Sequence, residues 1–318
     1  MIEPVLEVIG ISKRFAGHVA VTDLSLLVPK GAIYGLLGPN GAGKTTSIRM
    51  IMNITIPDEG TVRLFGDDMG GRHHSARIGY LPEERGLYKK MKVRDMLVFL
   101  AEVKGVDRAH AAQKADEWLG RLGLSEWRLR KVEELSKGMQ QKVQFIGTML
   151  HEPELLILDE PFSGLDPINA QVLKDTIIQL SRAGTTIIFS THQMEVAEKI
   201  CDHVCIIARG RKVLDGGIAE VKREHGGTHV AVAFEDAAVS AQAMKSIADL
   251  VAAADDSGMS AELKLKDGAD PQDVLQRLMN QNIRLRRFER IEPSLQRIFL
   301  DKAGPEAAEA ERREAVNA

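Results

Sequence analysis

Apolar residues in the first two thirds of the chain come in short bursts, separated by longer stretches where they recur every three or four positions. Residues 5–9 and 22–28 read as strands, the second in partial alternation of apolar and polar positions. Residues 32–37 form a short apolar run ending next to a glycine, the pattern of a buried strand, and residues 155–158 and 185–189 are two more. Helical spacing appears at 44–53, through Ile48, Ile51 and Met52, and again at 171–180 and 194–200. Buried strands alternating with helices predict an α/β domain with a largely parallel sheet. A helix-rich insertion interrupts the alternation at 93–122, with Met96, Leu97, Leu100 and Val103 on one face, and strand signals resume only after Leu135.

The pattern changes near residue 216, where paired glycines at 216–217 and 226–227 bracket a short polar helical segment. Beyond it, residues 229–234, 261–266 and 283–288 alternate as strands, with helical stretches at 241–253 and 271–280 between them. The expected organisation is therefore a large domain over residues 1–225, its helical part at about 86–150, and a small α/β domain over 226–302. An Ala/Glu-rich tail over 303–318 is expected to be disordered or weakly helical.

Composition then narrows the class. An apolar content of 44% supports buried cores, while 42 Lys and Arg against 45 Asp and Glu leave a net charge of −3. That balance offers no large basic surface for nucleic acid. The longest run free of charged residues, 31–43, is glycine-rich and falls short of the roughly 18 apolar residues of a membrane span. The N-terminus lacks the basic-then-apolar order of a secretory signal, and two cysteines make no disulfide framework, so a cytosolic chain is expected.

The candidate chemistry sits at two strand ends. Gly38, Pro39, Asn40, Gly41, Ala42, Gly43, Lys44 and Thr45, followed by Thr46, match G-x-x-x-x-G-K-[ST] after a buried strand and before a helix. Glycines at 38, 41 and 43 let backbone N–H groups turn onto phosphate oxygens, and the helix N-terminus adds its positive end. Lys44 is placed to reach β- and γ-phosphates, and the Thr45 hydroxyl to bind Mg²⁺. Residues 155–158 end in Asp159 and Glu160, which an apolar strand would carry to the same end of the sheet. There Asp159 would hold Mg²⁺, and Glu160 would polarise water for attack on the γ-phosphate.

Further segments stand in a fixed order around these two. Glu134, Leu135, Ser136, Lys137, Gly138, Met139, Gln140 and Gln141 precede the acidic strand; Ser163, Gly164, Leu165 and Asp166 follow it. Ser190, Thr191 and His192 follow the next strand. Over residues 1 to about 225 this order resembles the nucleotide-binding subunit of ABC transporters. The rest is similar to the small C-terminal domain on ATPases of ABC-2-type exporters, the sodium- and drug-efflux group, whose closing motif resembles residues 292–300.

The resemblance implies a P-loop ATPase of ABC type, with an antiparallel β subdomain and a helical subdomain. It would act as a head-to-tail homodimer on the cytoplasmic face of a membrane, driving separate ABC-2-type permease subunits with ATP and Mg²⁺. Phe15 would stack on adenine, although a core phenylalanine is the competing reading. Ser136 and Gly138 would meet the γ-phosphate of the partner copy's ATP, and His192 would bond that phosphate and the attacking water. Asp166 matches the loop that links the two sites.

Two departures stand out. Glu83, in the segment Gly79 to Glu84 read as a loop, replaces the family's glutamine; it keeps an oxygen for Mg²⁺ and adds charge. Lys137 and Met139 replace glycine and glutamine of the signature, and Lys137 either points into solvent or adds a cation near the phosphates. Cys201, His203 and Cys205 read as structural, and His73 and His74, in a polar glycine-rich loop, as solvated. An importer, or a soluble ABC-type ATPase acting on ribosomes or DNA, is the alternative. One phosphate loop and no sustained heptads weigh against the soluble ATPase, and the exporter-like ending weighs against the importer.

Overall fold

In the computed structural model, which describes residues 4–68, 74–84, 86–225 and 228–303, contacts divide the chain into two units after Gly216. The first unit runs β1 (Pro4–Phe15), β2 (His18–Pro29), β3 (Ile33–Leu37), α1 (Lys44–Ile51), β4 (Glu59–Leu64) and β5 (Ile78–Leu81). Helices α2 (Val93–Val103), α3 (Arg108–Arg121) and α4 (Lys137–Gly147) follow. It closes with β6 (Leu155–Asp159), α5 (Pro167–Arg182), β7 (Thr186–Thr191), α6 (Met194–Ile200), β8 (His203–Ala208) and β9 (Arg211–Gly217).

A six-stranded sheet in the order β5-β6-β7-β3-β8-β9 forms the centre, with β5 to β8 paired in parallel. Every residue of β3, β6 and β7 is buried, as the unbroken apolar runs require when both faces are covered. A second, antiparallel sheet, β2-β1-β4, packs its inner residues into the same core as Ile48 and Ile51 of α1. Parallel strands share one direction, so the C-terminal ends of β3, β6 and β7 open on one edge, where open α/β sheets bind ligands.

Two features of this unit differ from the sequence-based expectation, at β5 and at His74, and the expected helix-rich insertion divides into separate helices. The segment from Gly79 read as a loop begins as strand β5, with Ile78 and Leu81 buried and paired in register with Leu155 and Leu158. A side chain at Gly79 would put Cβ 2.2 Å from the Thr148 carbonyl, so glycine lets α4's end approach this strand. The insertion is two helices, because Gly105 takes φ 87° and Asp107 caps a new helix by accepting from the N–H groups of Ala109 and His110. Met96 and Leu97 are buried, whereas Val103 is exposed. His74 is buried, with its ring edge-on to Phe65 at 5.2 Å and Nε2 3.4 Å from Asp67; His73 lies outside the described residues.

The second unit holds α7 (Ile218–His225), β10 (His229–Phe234), α8 (Ser240–Ile247), β11 (Val251–Asp256) and β12 (Ser260–Leu265). It ends with α9 (Pro271–Asn280), β13 (Leu285–Ile291) and α10 (Leu295–Ala303). Its antiparallel sheet, β11-β12-β10-β13, buries Val230, Val232 and Phe234 against α8 and α9. Helix α7 falls in this unit, whereas the sequence-based division at 225 puts it in the first. The helix expected to reach residue 253 stops at Ile247, and the alanine-rich stretch after it pairs with β12, register overriding helix propensity. The tail expected to be disordered, beyond Ala303, lies outside the described residues, as do Gly226 and Gly227.

Candidate functional site

Strand β3 delivers the chain to Gly38, and the loop through Gly43 turns back into α1. Two of its glycines are sterically obligatory. Gly38 has φ 146° and a side chain there would place Cβ 2.1 Å from the Ile207 carbonyl; Gly43 has φ 108° and would meet the Ala20 carbonyl at 2.5 Å. Gly41, at φ 75°, has open space where its side chain would be. The loop folds around Lys44, which is buried and donates from Nζ to the carbonyls of Gly38 at 2.7 Å and Pro39 at 3.1 Å.

The acidic pair arrives from β6. Asp159 is fully buried and accepts at Oδ1 from the hydroxyls of Thr45, at 3.3 Å, and Ser190. Its Oδ2 is buried without a hydrogen-bond partner. Glu160 stands in the left-handed region at φ 47°, and its N–H donates to Ser190 Oγ at 3.1 Å. Such a conformation is costly for a residue with a side chain and persists where its surroundings enforce it. One carboxylate oxygen, Glu160 Oε1, is shared by Lys44 Nζ at 3.6 Å and His192 Nδ1 at 3.1 Å.

These groups face a cleft of about 380 Å³ lined by the loop from Asn40 to Thr46, Glu83 and Glu160, with Phe15 and His18 at its β1–β2 end. Phe15 is half exposed there, which rules out a core role. An adjoining hollow of about 230 Å³ brings Thr45, Glu83 and Asp159 together. Three carboxylates thus pull on the Lys44 ammonium, and Arg49 lines the adjoining hollow beside two of them. Burial pushes Lys44 down from its ordinary value, against the opposing pull of Glu160, Asp159 and Glu83. Burial pushes Asp159 up, more strongly than the Ser190 and Thr45 hydrogen bonds pull it down. Glu83 is pushed up by burial and then by the charges of Asp159 and Glu160.

A cation next to Asp159 would relieve this imbalance. The donors are all oxygen: the unpartnered Asp159 Oδ2, Thr45 Oγ1 and the Glu83 carboxylate. That set suits a hard ion completed by substrate phosphates, the way Mg²⁺ is commonly held. Among the described residues no three His, Cys, Asp or Glu converge to hold a metal without such help.

Ser136 and Gly138 stand apart from this cleft. Ser136 is exposed and caps α4, accepting from Met139 N–H at 3.3 Å, and Lys137 beside it is exposed. Asp166 caps α5 by accepting from the Asn169 N–H at 3.0 Å. Cys201 and Cys205 are free thiols whose titration burial pushes up, and Cys205 bonds to Tyr34, on whose ring His203 stacks. Cys201 Sγ lies against Gly35.

Sequence reasoning passed over two residues. Ser190, paired in register with Asp159 across β6 and β7, fixes both acidic residues at once. Its signal was available, two positions before His192 at the end of the neighbouring apolar strand. Gln144 on α4 donates to the carbonyls of Pro82 and Glu84, and nothing local in the sequence announces that.

Residues 21–163 match the family described as ABC transporter, and residues 216–303 match the C-terminal domain of DrrA1-3-like ATP-binding proteins. The uncharacterized ABC transporter ATP-binding protein YhaQ of Bacillus subtilis is 43% identical, covering 92% of this chain and 97% of the relative. The daunorubicin/doxorubicin resistance ATP-binding protein DrrA of Streptomyces peucetius is 30% identical, covering 96% and 97%. Nod factor export ATP-binding protein I of Ralstonia nicotianae is 34% identical over 73% of each chain. A solved ATP-binding subunit of an ABC transporter superposes with a TM-score of 0.65 at 30% identity, covering 69% of this chain and 92% of that one.

Proposed function

The chain belongs to the ATP-binding proteins of the ABC transporter family, and from that premise we propose that it is the ATP-hydrolysing subunit of an ABC-2-type exporter. The observation that carries hydrolysis is the sharing of Glu160 Oε1 by Lys44 and His192 at the mouth of the phosphate loop. Likeness to DrrA and to Nod factor export proteins, together with the matching C-terminal domain, supports the exporter reading over an importer or a soluble ATPase.

ATP lies in the cleft with its adenine against Phe15 and its phosphates in the cradle of loop N–H groups and Lys44. Thr45, Asp159 and Glu83 would hold Mg²⁺, which when bound would neutralise phosphate charge. Glu160 accepts a proton from the attacking water, and His192, bonded to that carboxylate, orients it and contacts the γ-phosphate. Ser136 and the Gly138 N–H reach the γ-phosphate of a second copy's ATP, which explains their distance from the cleft of their own chain. Each site is complete only in the dimer.

Among the described residues no helix is long and apolar enough to cross a membrane, and this reading gives the membrane path to separate permease subunits. A surface suited to them is at hand. Tyr88 and Phe99, both exposed, meet edge-to-face at 5.6 Å, and Val103 extends the patch one turn along α2. Tyr88 follows the Glu83 loop by five positions in the sequence.

Affinity capture of the full chain from detergent-extracted membranes tests the reading. A multi-span protein is expected in stoichiometric amount, and Phe99→Glu is expected to lose it while retaining ATP binding. Capture of ribosomes or DNA, with the chain absent from membranes, would contradict the proposal.

A further inference from the structure

Gln144 sits in the middle of α4, two turns beyond the Ser136 cap, and is buried. Its amide Nε2 donates to the Pro82 carbonyl at 3.2 Å and the Glu84 carbonyl at 3.3 Å, one on each side of Glu83. Among the described residues these are the only hydrogen bonds that reach the backbone of residues 82–84. Pairing of β5 with β6 ends at Leu81, so Gln144 is the next anchor after the chain leaves the sheet.

The Glu83 carboxylate has no hydrogen bond or ion pair of its own among the described residues, and its position follows from its backbone. A buried glutamine amide is costly unless its hydrogen bonds repay the desolvation. The opposite end of this amide, Oε1, has no hydrogen-bond partner, so the side chain is retained by the two loop carbonyls alone. One turn earlier on the same helix, Gln141 Nε2 donates to the Pro161 carbonyl at 3.2 Å, immediately after Glu160. The helix that starts at the signature residues therefore grips both loops that carry carboxylates into the cleft.

We propose that Gln144 is a positioning residue for the metal–nucleotide site: it latches the Glu83 loop to α4, so that Glu83 presents its carboxylate to the metal and the loop moves with the helical subdomain. The proposal rests on the reading of the cleft as a Mg²⁺–ATP site. Outer partners that orient a metal ligand commonly change metal affinity by 10- to 100-fold when removed. Gln144 differs from an ordinary outer partner in acting on the backbone to either side of the ligand.

The test uses the full chain carrying Glu160→Gln, with Mn²⁺ uptake in the presence of ATP followed by electron paramagnetic resonance. Adding Gln144→Leu, which keeps bulk and removes the donor, is expected to weaken Mn²⁺ binding about tenfold. ATP affinity measured without metal should change by less than about twofold. Gln144→His, whose Nε2–H lies at similar reach, is expected to recover most of the loss. Independently, with no ligand present, a glutamate-specific protease should cut the chain after Glu83 or Glu84 faster in Gln144→Leu than in its parent.

Unchanged Mn²⁺ affinity in Gln144→Leu overturns the proposal, as does an equal loss of metal-free ATP affinity, which marks a general packing defect. A parent chain that takes up no Mn²⁺ with ATP overturns the reading of the cleft instead. In that case unaltered cleavage would overturn the latch as well, and faster cleavage would sustain it.

Discussion

Glu160→Gln lowers ATP turnover by at least about a hundredfold while leaving ATP bound, the range expected when a positioned general base is removed. The amide matches the carboxylate in shape but cannot take up the proton of the attacking water. Its surroundings stay in place, because the strained backbone at φ 47° is held by Ser190 through the Glu160 N–H, a contact the substitution does not touch. Removing one of three negative charges from the cleft also favours the triphosphate. Single-turnover hydrolysis beside equilibrium binding of labelled ATP separates the two effects. A drop of less than about tenfold would remove Glu160 from the role of base.

Lys44→Ala acts at the earlier step and abolishes binding. The ammonium is buried, is bonded to the carbonyls of Gly38 and Pro39, and is drawn by Glu160, Asp159 and Glu83 in the cleft. Without it, an anionic ligand would enter beside three carboxylates, and two loop carbonyls would lose their donor. Truncating one partner of a buried charge pair across a binding interface, here ammonium and phosphate, costs about 2–5 kcal/mol. At about 1.4 kcal/mol per tenfold, ATP affinity falls by at least about thirtyfold. Isothermal titration with Mg²⁺–ATP reads this directly, and retention of affinity within about tenfold would show that the backbone cradle suffices.

These two effects were legible because their causes are local. The spacing of Gly38, Gly43 and Lys44 encodes a turn that closes on its own backbone, and an apolar run ending in Asp159 and Glu160 encodes a buried strand with a charged end. What escaped the sequence depends on contacts between distant segments. Ser190 reaches Asp159 through the parallel register of β6 and β7, and Gln144 reaches Pro82 and Glu84 across about sixty positions. Short β5 went unread because Gly79, there for the close approach of Thr148, looked like a turn residue. His74 lies in a polar glycine-rich stretch, yet Phe65 buries it from outside that stretch. In the small unit, alanines at 252–254 favour a helix locally, and only the partner strand β12 decides otherwise.

In the proposed mechanism two ATP molecules are enclosed between two copies of the chain, each completed by the other's Ser136 and Gly138. Light scattering of Glu160→Gln with Mg²⁺–ATP, coupled to counting the nucleotide retained, tests this most directly. The predicted result is a dimer holding two ATP molecules, which dissociates when ATP is withdrawn and fails to form once Ser136→Arg blocks the approach. A chain that stays monomeric with ATP bound, and wild-type hydrolysis per chain that does not rise with protein concentration, would contradict it.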